Sequence, residues 1–246
     1  QRVPFTAKLV EYGKETNLKS WKPFSVVGTL QRNRVDEVCD TIERCGLRTK
    51  KASNYLEIAL TPTNPILHTS RTFELFGDYE LNHKFDTKLK FYVGWGRKAS
   101  ETLFAMDAEL HALLDAIEGL DTFAIRPLSE HYESPTIDAL SAKINSIATF
   151  QSVYAPMREV EDGYVSDTNS RMFTEDFPWG LAVIRSYFEC FNIPAPTMDR
   201  VLMWYSEYMG LEWYVDGKFI GKDLKYTGII QNYGFKTKED LLKIYN

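Results

Sequence analysis

Apolar positions along this chain fall into two regimes. Up to about residue 60 they come in short runs bounded by turn formers. Residues 3–10 are rich in types that suit strands, Glu11-Tyr12-Gly13-Lys14 reads as a turn, and Ser25-Val26-Val27-Gly28-Thr29-Leu30 reads as a second strand. Val35, Val38, Cys39 and Ile42 then recur at helical spacing, which predicts a helix over 35–45 with Gly46 just past its end. Residues 54–60 return to an apolar segment of ambiguous type. The sequence opens in strand-forming residues without an initiator Met, as the end of a longer α/β domain would.

After the breaker Pro62, Asn64, Pro65 the pattern lengthens. Leu103, Met106, Leu110, Leu113, Leu114 and Ile117 form one stripe of a helix predicted over 98–118, with Gly119 as its stop. A second helix is expected over 134–150, with Pro135 in its first turn and Ile137, Leu140, Ile144, Ile147 and Ala148 on one face. Two more, 177–191 and 197–210, flank the rigid connector Ile193-Pro194-Ala195-Pro196, and a last one over 237–245 has Thr237 placed as an N-cap. No internal repeat or low-complexity segment interrupts this. The expected fold is an α/β fragment over residues 1–62 followed by a mainly α-helical domain over 63–246.

Composition narrows the function classes. The 246 residues carry 29 basic and 34 acidic side chains, a net charge of −5, and a polyphosphate partner is normally met by the opposite balance. Nucleic acid is therefore not an expected partner. No apolar run approaches the roughly 20 residues that cross a bilayer, and residues 1–8 lack the apolar centre of a secretory signal, so the expectation is a cytoplasmic protein without membrane association. Cys39, Cys45 and Cys190 are an odd number with no zinc spacing, and read as reduced thiols.

Three stretches could carry chemistry. In Thr63-Asn64-Pro65-Ile66-Leu67-His68 a histidine follows a proline-marked bend, and its near-neutral titration suits a step that accepts and returns a proton. Most lone histidines near a helix start do nothing catalytic, and His83, His111 and His131 have less context still. The segment from Asn169 to Gly180 is a dense polar and aromatic cluster leading into a helix. There Arg171 could grip a carboxylate through two hydrogen bonds and Asp176 could orient an imidazole, although Thr174, Glu175 and Asp176 also suit an ordinary helix start. Finally, Gly94-Trp95-Gly96-Arg97-Lys98-Ala99 has the G-x-G-x-x-A layout of a dinucleotide-binding turn. The helices that follow are not interleaved with strands as a doubly wound sheet requires, so the match reads as coincidental. Glu80-x-x-His83 is a single copy where a di-metal bundle needs two, and no metal site is expected.

Taken in order, Arg2-Val3-Pro4-Phe5 with Glu11-Tyr12-Gly13-Lys14, Asn64-Pro65-x-x-His68, Phe91-Tyr92-x-Gly94, Arg171-x-x-Thr174-Glu175-Asp176-x-Pro178-x-Gly180 and Pro194-x-Pro196 resemble the opine dehydrogenase family, the NAD(P)-dependent octopine/nopaline-type enzymes. The resemblance covers nearly the whole chain. It implies that residues 1–62 are the last part of a Rossmann-type nucleotide-binding domain and 63–246 the helical substrate domain. It further implies NAD or NADP, bound mainly by an upstream segment, and a reductive condensation of an amino acid with an α-keto acid. It carries His68 onto the family's acid/base histidine, Asp176 onto the carboxylate that orients it, and Arg171 onto the arginine that binds the keto acid. Asn64, Thr174 and Trp179 would line the pocket. Thr69 and Ser70 depart from the proline that many relatives have after the histidine. The fragment alone is expected to be inactive, and a homodimer is left open. The competing expectation is a helical ligand-binding or interaction module of the same architecture without hydride chemistry, in which His68, Asp176 and Arg171 would scatter.

Overall fold

Gly13 adopts φ +72°, a conformation open to glycine at little cost, and there the chain reverses. Strand β1 (Phe5–Glu11) therefore pairs antiparallel with β2 (Glu15–Trp21), and the rings of Phe5 and Trp21 stack with centroids 5.4 Å apart. The computed structural model describes residues 4–61 and 64–245, so Arg2 and Val3 of the N-terminal motif, Pro62 and Thr63, and with them the expected domain boundary, lie outside the described residues.

Strand β3 (Ser25–Val27) is buried at all three residues and pairs in parallel with β4 (Thr49–Lys51). Helix α1 (Val35–Arg44) connects them, its end marked by Gly46 at φ +81°. The ambiguous apolar segment forms a short helix, α2 (Leu56–Ala59). Residues up to Thr61, together with 117–125 and the chain from Glu239 onward, make one unit. Asn54 ties two of its parts together by donating to the carbonyl of Asp121 at 2.7 Å.

The second unit, Pro62–Ala116 with Arg126–Lys238, is the helical one. Helix α3 (Asn64–Phe76) leads to the longest helix, α4 (Arg97–Asp115), whose stripe Leu103, Met106, Leu110 and Leu113 is fully buried. The short helix α5 (Leu128–His131) precedes α6 (Ile137–Ser146). Helix α6 begins with its apolar stripe at Ile137, later than the expected 134, because Thr136 caps it by accepting from the amide of Ala139 at 3.2 Å, and it ends at Ser146, short of the expected 150. A polar hairpin that hydropathy did not announce, β5 (Met157–Val160) with β6 (Gly163–Ser166), follows. No strand forms around Phe91, where Lys90 pairs across to Tyr154 as an isolated bridge.

Helix α7 (Arg171–Thr174) runs into a wide π-turn at Phe177–Leu181 and then α8 (Ala182–Phe191), so the single helix expected over 177–191 is divided. Pro178 has no N–H to continue the ordinary α ladder, and the amide of Leu181 reaches back five residues to Asp176, at 2.8 Å. Helix α9 (Pro196–Met209) begins at the second proline of the connector and ends at Gly210, φ +63°; Glu109 of α4 caps its start by accepting from Thr197 and Met198. Helix α10 (Lys238–Tyr245) closes the chain. An aromatic layer fixes the π-turn: Phe177 stacks on Tyr205 at 4.2 Å, and the Tyr205 hydroxyl donates to the carbonyl of Phe173.

Gly180 makes the approach of this turn to α3 feasible. A Cβ there would lie 3.1 Å from Cβ and 3.2 Å from Cγ of Pro65, a rigid ring. Gly180→Leu should therefore cost on the order of 1–3 kcal/mol, as overpacking does. Thermal unfolding checks it, and an unchanged midpoint would show that the two segments part without penalty. No helix is long and apolar enough to cross a membrane among the described residues. None of the three cysteines is in a disulfide; Cys45 is exposed and the other two are buried.

Candidate active site

Helix α3 turns Ile66, Leu67, Ser70 and Thr72 inward, and His68 lies at the margin of that buried face with its side chain 15% exposed. From the other side, Phe177 is buried in the aromatic layer and the preceding residue, Asp176, is held at the mouth of the π-turn. The result is a contact between residues 108 positions apart: His68 Nδ1 lies 2.8 Å from Asp176 Oδ2. The carboxylate can only accept, so Nδ1 carries a proton and the neutral ring keeps its lone pair at Nε2.

A third residue meets that lone pair. The Tyr92 hydroxyl lies 2.9 Å from Nε2, and with Nδ1 protonated the phenol is the donor. Burial, with Tyr132 and Asp176 adding to it, pushes the Tyr92 phenol far above its ordinary range, so it stays protonated. Its ring is stacked on Phe150 at 3.9 Å, and Phe91 meets the imidazole edge-on at 5.6 Å.

The loop carrying Tyr92 is clamped by Arg71, one turn beyond His68 on α3 and buried. Its Nε donates to the carbonyl of Phe91 at 2.5 Å and its Nη2 to that of Val93 at 3.1 Å, while Nη1 pairs with Glu74. Burial pulls the guanidinium below its ordinary pKa and the Glu74 carboxylate opposes that. Glu74 also accepts from the amides of Gly96 and Ala99 at the start of α4. These amides, and those of Gly94 and Trp95, which donate to Asn145 Oδ1, are the groups that a phosphate would need in the G-x-G turn. They are taken by protein acceptors, one of them anionic, so this turn is no dinucleotide cradle.

The other site residues read from the sequence are engaged to different degrees, with no contact to the His68 side chain among the described residues. Arg171 starts α7 five residues before Asp176; its side chain is 84% exposed and paired with Glu175 at 3.0 Å. The carboxylate of Glu175, first by hydrogen bond and then by charge, raises the Arg171 pKa. Thr174 is exposed, with its hydroxyl donating to the carbonyl of Ser170, and Asn64 is exposed at the first turn of α3. Trp179, 52% exposed, covers Gly228, where a Cβ would come within 2.6 Å of the indole. Tyr92 and Arg71 had no role in the sequence reading. Tyr92 stood in the Phe91-Tyr92-x-Gly94 motif without a task, and Arg71 carried no signal beyond a charge placed three residues after the histidine.

In the α/β unit, β3 and β4 end together beside a cavity of about 300 Å³ lined by Gly28, Thr29, Arg32, Ser53 and Asn54. Carboxyl ends of parallel strands are where nucleotides bind in such sheets, so these residues fit the edge of a dinucleotide site. No glycine-rich phosphate turn accompanies them among the described residues.

Comparison with known proteins gives this geometry a context. Residues 51–209 match the model of the family described as NAD/NADP octopine/nopaline dehydrogenase, alpha-helical domain. The chain is 28% identical to the tauropine dehydrogenase of Arabella iricolor, covering 98% of itself and 64% of that protein. It is 24% identical to the octopine dehydrogenase of Pecten maximus, again over 98% and 64%. A solved octopine dehydrogenase with NADH and L-arginine superposes with a TM-score of 0.82 at 22% identity, over 98% of this chain and 62% of that one, which shows the shared fold. The chain thus spans 64% of the length of the curated relatives it matches.

Proposed function

The chain belongs to the NAD/NADP octopine/nopaline dehydrogenase family, and from that membership we propose that it carries the substrate-handling part of an opine dehydrogenase. The proposed reaction condenses the amine of an amino acid with an α-keto acid and reduces the resulting imine. Residues 1–62 would be the end of a Rossmann-type domain and 63–246 the substrate domain. NAD or NADP would be held mainly by an upstream segment, with the ends of β3 and β4 touching one edge. When bound, the cofactor supplies the hydride.

The contact of His68 with Asp176 is the observation that carries this reading. A histidine held in one tautomer by a carboxylate on Nδ1 has Nε2 as the atom at which it gives up or takes a proton, and the carboxylate stabilises the imidazolium when it forms. His68 would protonate the hydroxyl that leaves as water during imine formation and take a proton back in the reverse direction. Asp176 would hold the ring in register. Arg171 would exchange Glu175 for the carboxylate of the keto acid, a substitution of one anion for another on an exposed side chain. Asn64, Thr174 and Trp179 would line the pocket. A cytoplasmic location, without nucleic-acid or membrane partners, is part of the same proposal, and a homodimer remains compatible with it.

The test is oxidation of NADH and NADPH by the full-length protein with pyruvate or 2-oxoglutarate against a panel of amino acids. Arginine and pyruvate, which are named with the solved octopine dehydrogenases, are the first members of that panel. No turnover with any combination would leave the binding-module reading in place. Arg171→Ala should raise the keto-acid KM and lower kcat/KM by roughly tenfold to a hundredfold, the worth of a charge-assisted bond. A change confined to the amino-acid KM would remove the role given to Arg171.

A further inference from the structure

Both nitrogens of the His68 imidazole are engaged. Nδ1 faces Asp176 and Nε2 faces the Tyr92 hydroxyl, at 2.8 and 2.9 Å. The nitrogen opposite the orienting carboxylate is the one that must give up a proton, and here a phenol stands on it.

That phenol is not placed to swing away. Its ring is stacked on Phe150 with planes 15° apart, lies against Phe91 edge-on, and is 5% exposed. The carbonyls on either side of Tyr92, those of Phe91 and Val93, are both held by Arg71 from α3, the helix that carries His68. The donor on Nε2 and the imidazole it serves are thus tied to one helix, and the hydroxyl is fixed relative to the ring. Stacking would require only a phenyl group. The hydroxyl adds a donor and acceptor at the one atom through which the imidazole exchanges its proton.

We propose that Tyr92 is the second member of a proton relay, through whose hydroxyl His68 exchanges its proton with the substrate. The inference rests on the dehydrogenase reading above. In the direction of imine formation, the imidazolium Nε2–H bond breaks as its proton passes to the Tyr92 oxygen. The Tyr92 O–H bond breaks as that proton joins the departing hydroxyl of the carbinolamine, which leaves as water with the C–O electron pair. The amine nitrogen lone pair forms the C=N bond. Tyr92 ends as it began, a neutral phenol, and His68 ends neutral, its Nδ1–H still donating to Asp176. The charged and titratable groups facing this line are Asp176 from the π-turn, Tyr132 from the end of α5, and the Arg71 and Glu74 pair behind the loop. Burial keeps Tyr132 at about 12, so neither phenol ionises near neutral pH and Tyr92 acts as a conduit and not as a base.

Tyr92→Phe keeps the stacked ring and removes only the hydroxyl, and two measurements read it. In the full-length protein, kcat should fall about tenfold to a hundredfold, the lower part of what a positioned proton donor supplies, with both substrate KM values within about twofold. The wild-type solvent isotope effect on kcat/KM for the keto acid should bow in mixed light and heavy water, as two protons in flight require. An unchanged kcat in Tyr92→Phe, or a straight wild-type proton inventory, overturns the relay. The second measurement needs no turnover: the side-chain nitrogen NMR signal of His68 Nε2, assigned with His68→Gln, should move in Tyr92→Phe as its hydrogen bond is lost. An Nε2 signal identical in the two proteins also overturns the relay. A folded full-length protein that turns over no amino acid and keto acid pair refutes the dehydrogenase reading separately, since the NMR result still decides whether Tyr92 holds the imidazole.

Discussion

His68→Ala is expected to lower kcat of the full-length protein by about a hundredfold to ten-thousandfold while its unfolding midpoint stays within a few degrees of the wild type. The rate loss is what removing a positioned acid/base costs. The small effect on stability follows from position: the imidazole is at the edge of the buried face of α3, and Asp176, its side chain 20% exposed, can recruit water when its partner is gone. Asp176→Asn separates orientation from proton transfer. The amide keeps the shape but can present an N–H to Nδ1, which favours the other tautomer and directs the ring's proton to the wrong side. It should therefore lose a large part of the same rate with KM little altered, read by steady-state kinetics. A His68→Ala protein as active as the wild type would remove the catalytic assignment altogether.

Arg71→Met is expected to be the most destabilising of the changes considered, by about 3–5 kcal/mol, because it removes a buried guanidinium and leaves the Glu74 carboxylate and the carbonyls of Phe91 and Val93 without that donor. Denaturant unfolding of the second unit's signal measures it. The double variant Arg71→Met with Glu74→Met should recover part of the loss, since both partners of the buried pair then go together. Recovery would assign the loss to an uncompensated charge; strict additivity would assign it to the contacts with Phe91 and Val93. A loss under about 1 kcal/mol would mean that the guanidinium is solvated in practice, and the loop would then have no firm anchor. The loop carries Tyr92, so the same variant should also lower kcat.

How much of this was legible in the sequence depends on the range of each interaction. Leu103, Met106, Leu110 and Leu113 announce α4 within a few residues because one buried stripe needs only local periodicity. Strand β2 escaped notice because Glu15–Trp21 is largely polar and exposed, leaving no alternating pattern to read, and β4 is a three-residue polar strand that exists through its pairing to β3. The split of 177–191 follows from Pro178, whose place at a helix start looked ordinary but whose missing N–H opens a π-turn there. At the site, the meeting of His68 with Asp176 could not be derived from spacing, since 108 positions separate them; the family resemblance carried it. Tyr92 was quoted in a motif yet given no task, because a phenol in an apolar run looks like core until the imidazole beside it is seen. Arg71 was invisible for the opposite reason: its charge suggests solvent, and only the carbonyls of an irregular loop explain its burial.

Glu74 is shared between Arg71 and the first amides of α4. One side chain therefore anchors two neighbours at once, and residues 91–96 do not behave as an exchangeable module. A loop transplanted from a relative to alter substrate preference would arrive without its matching arginine and glutamate unless α3 travelled with it. Directed variation of this region is best made in linked sets spanning both stretches, with single-position libraries kept for Asn64, Arg171 and Thr174, whose side chains face solvent.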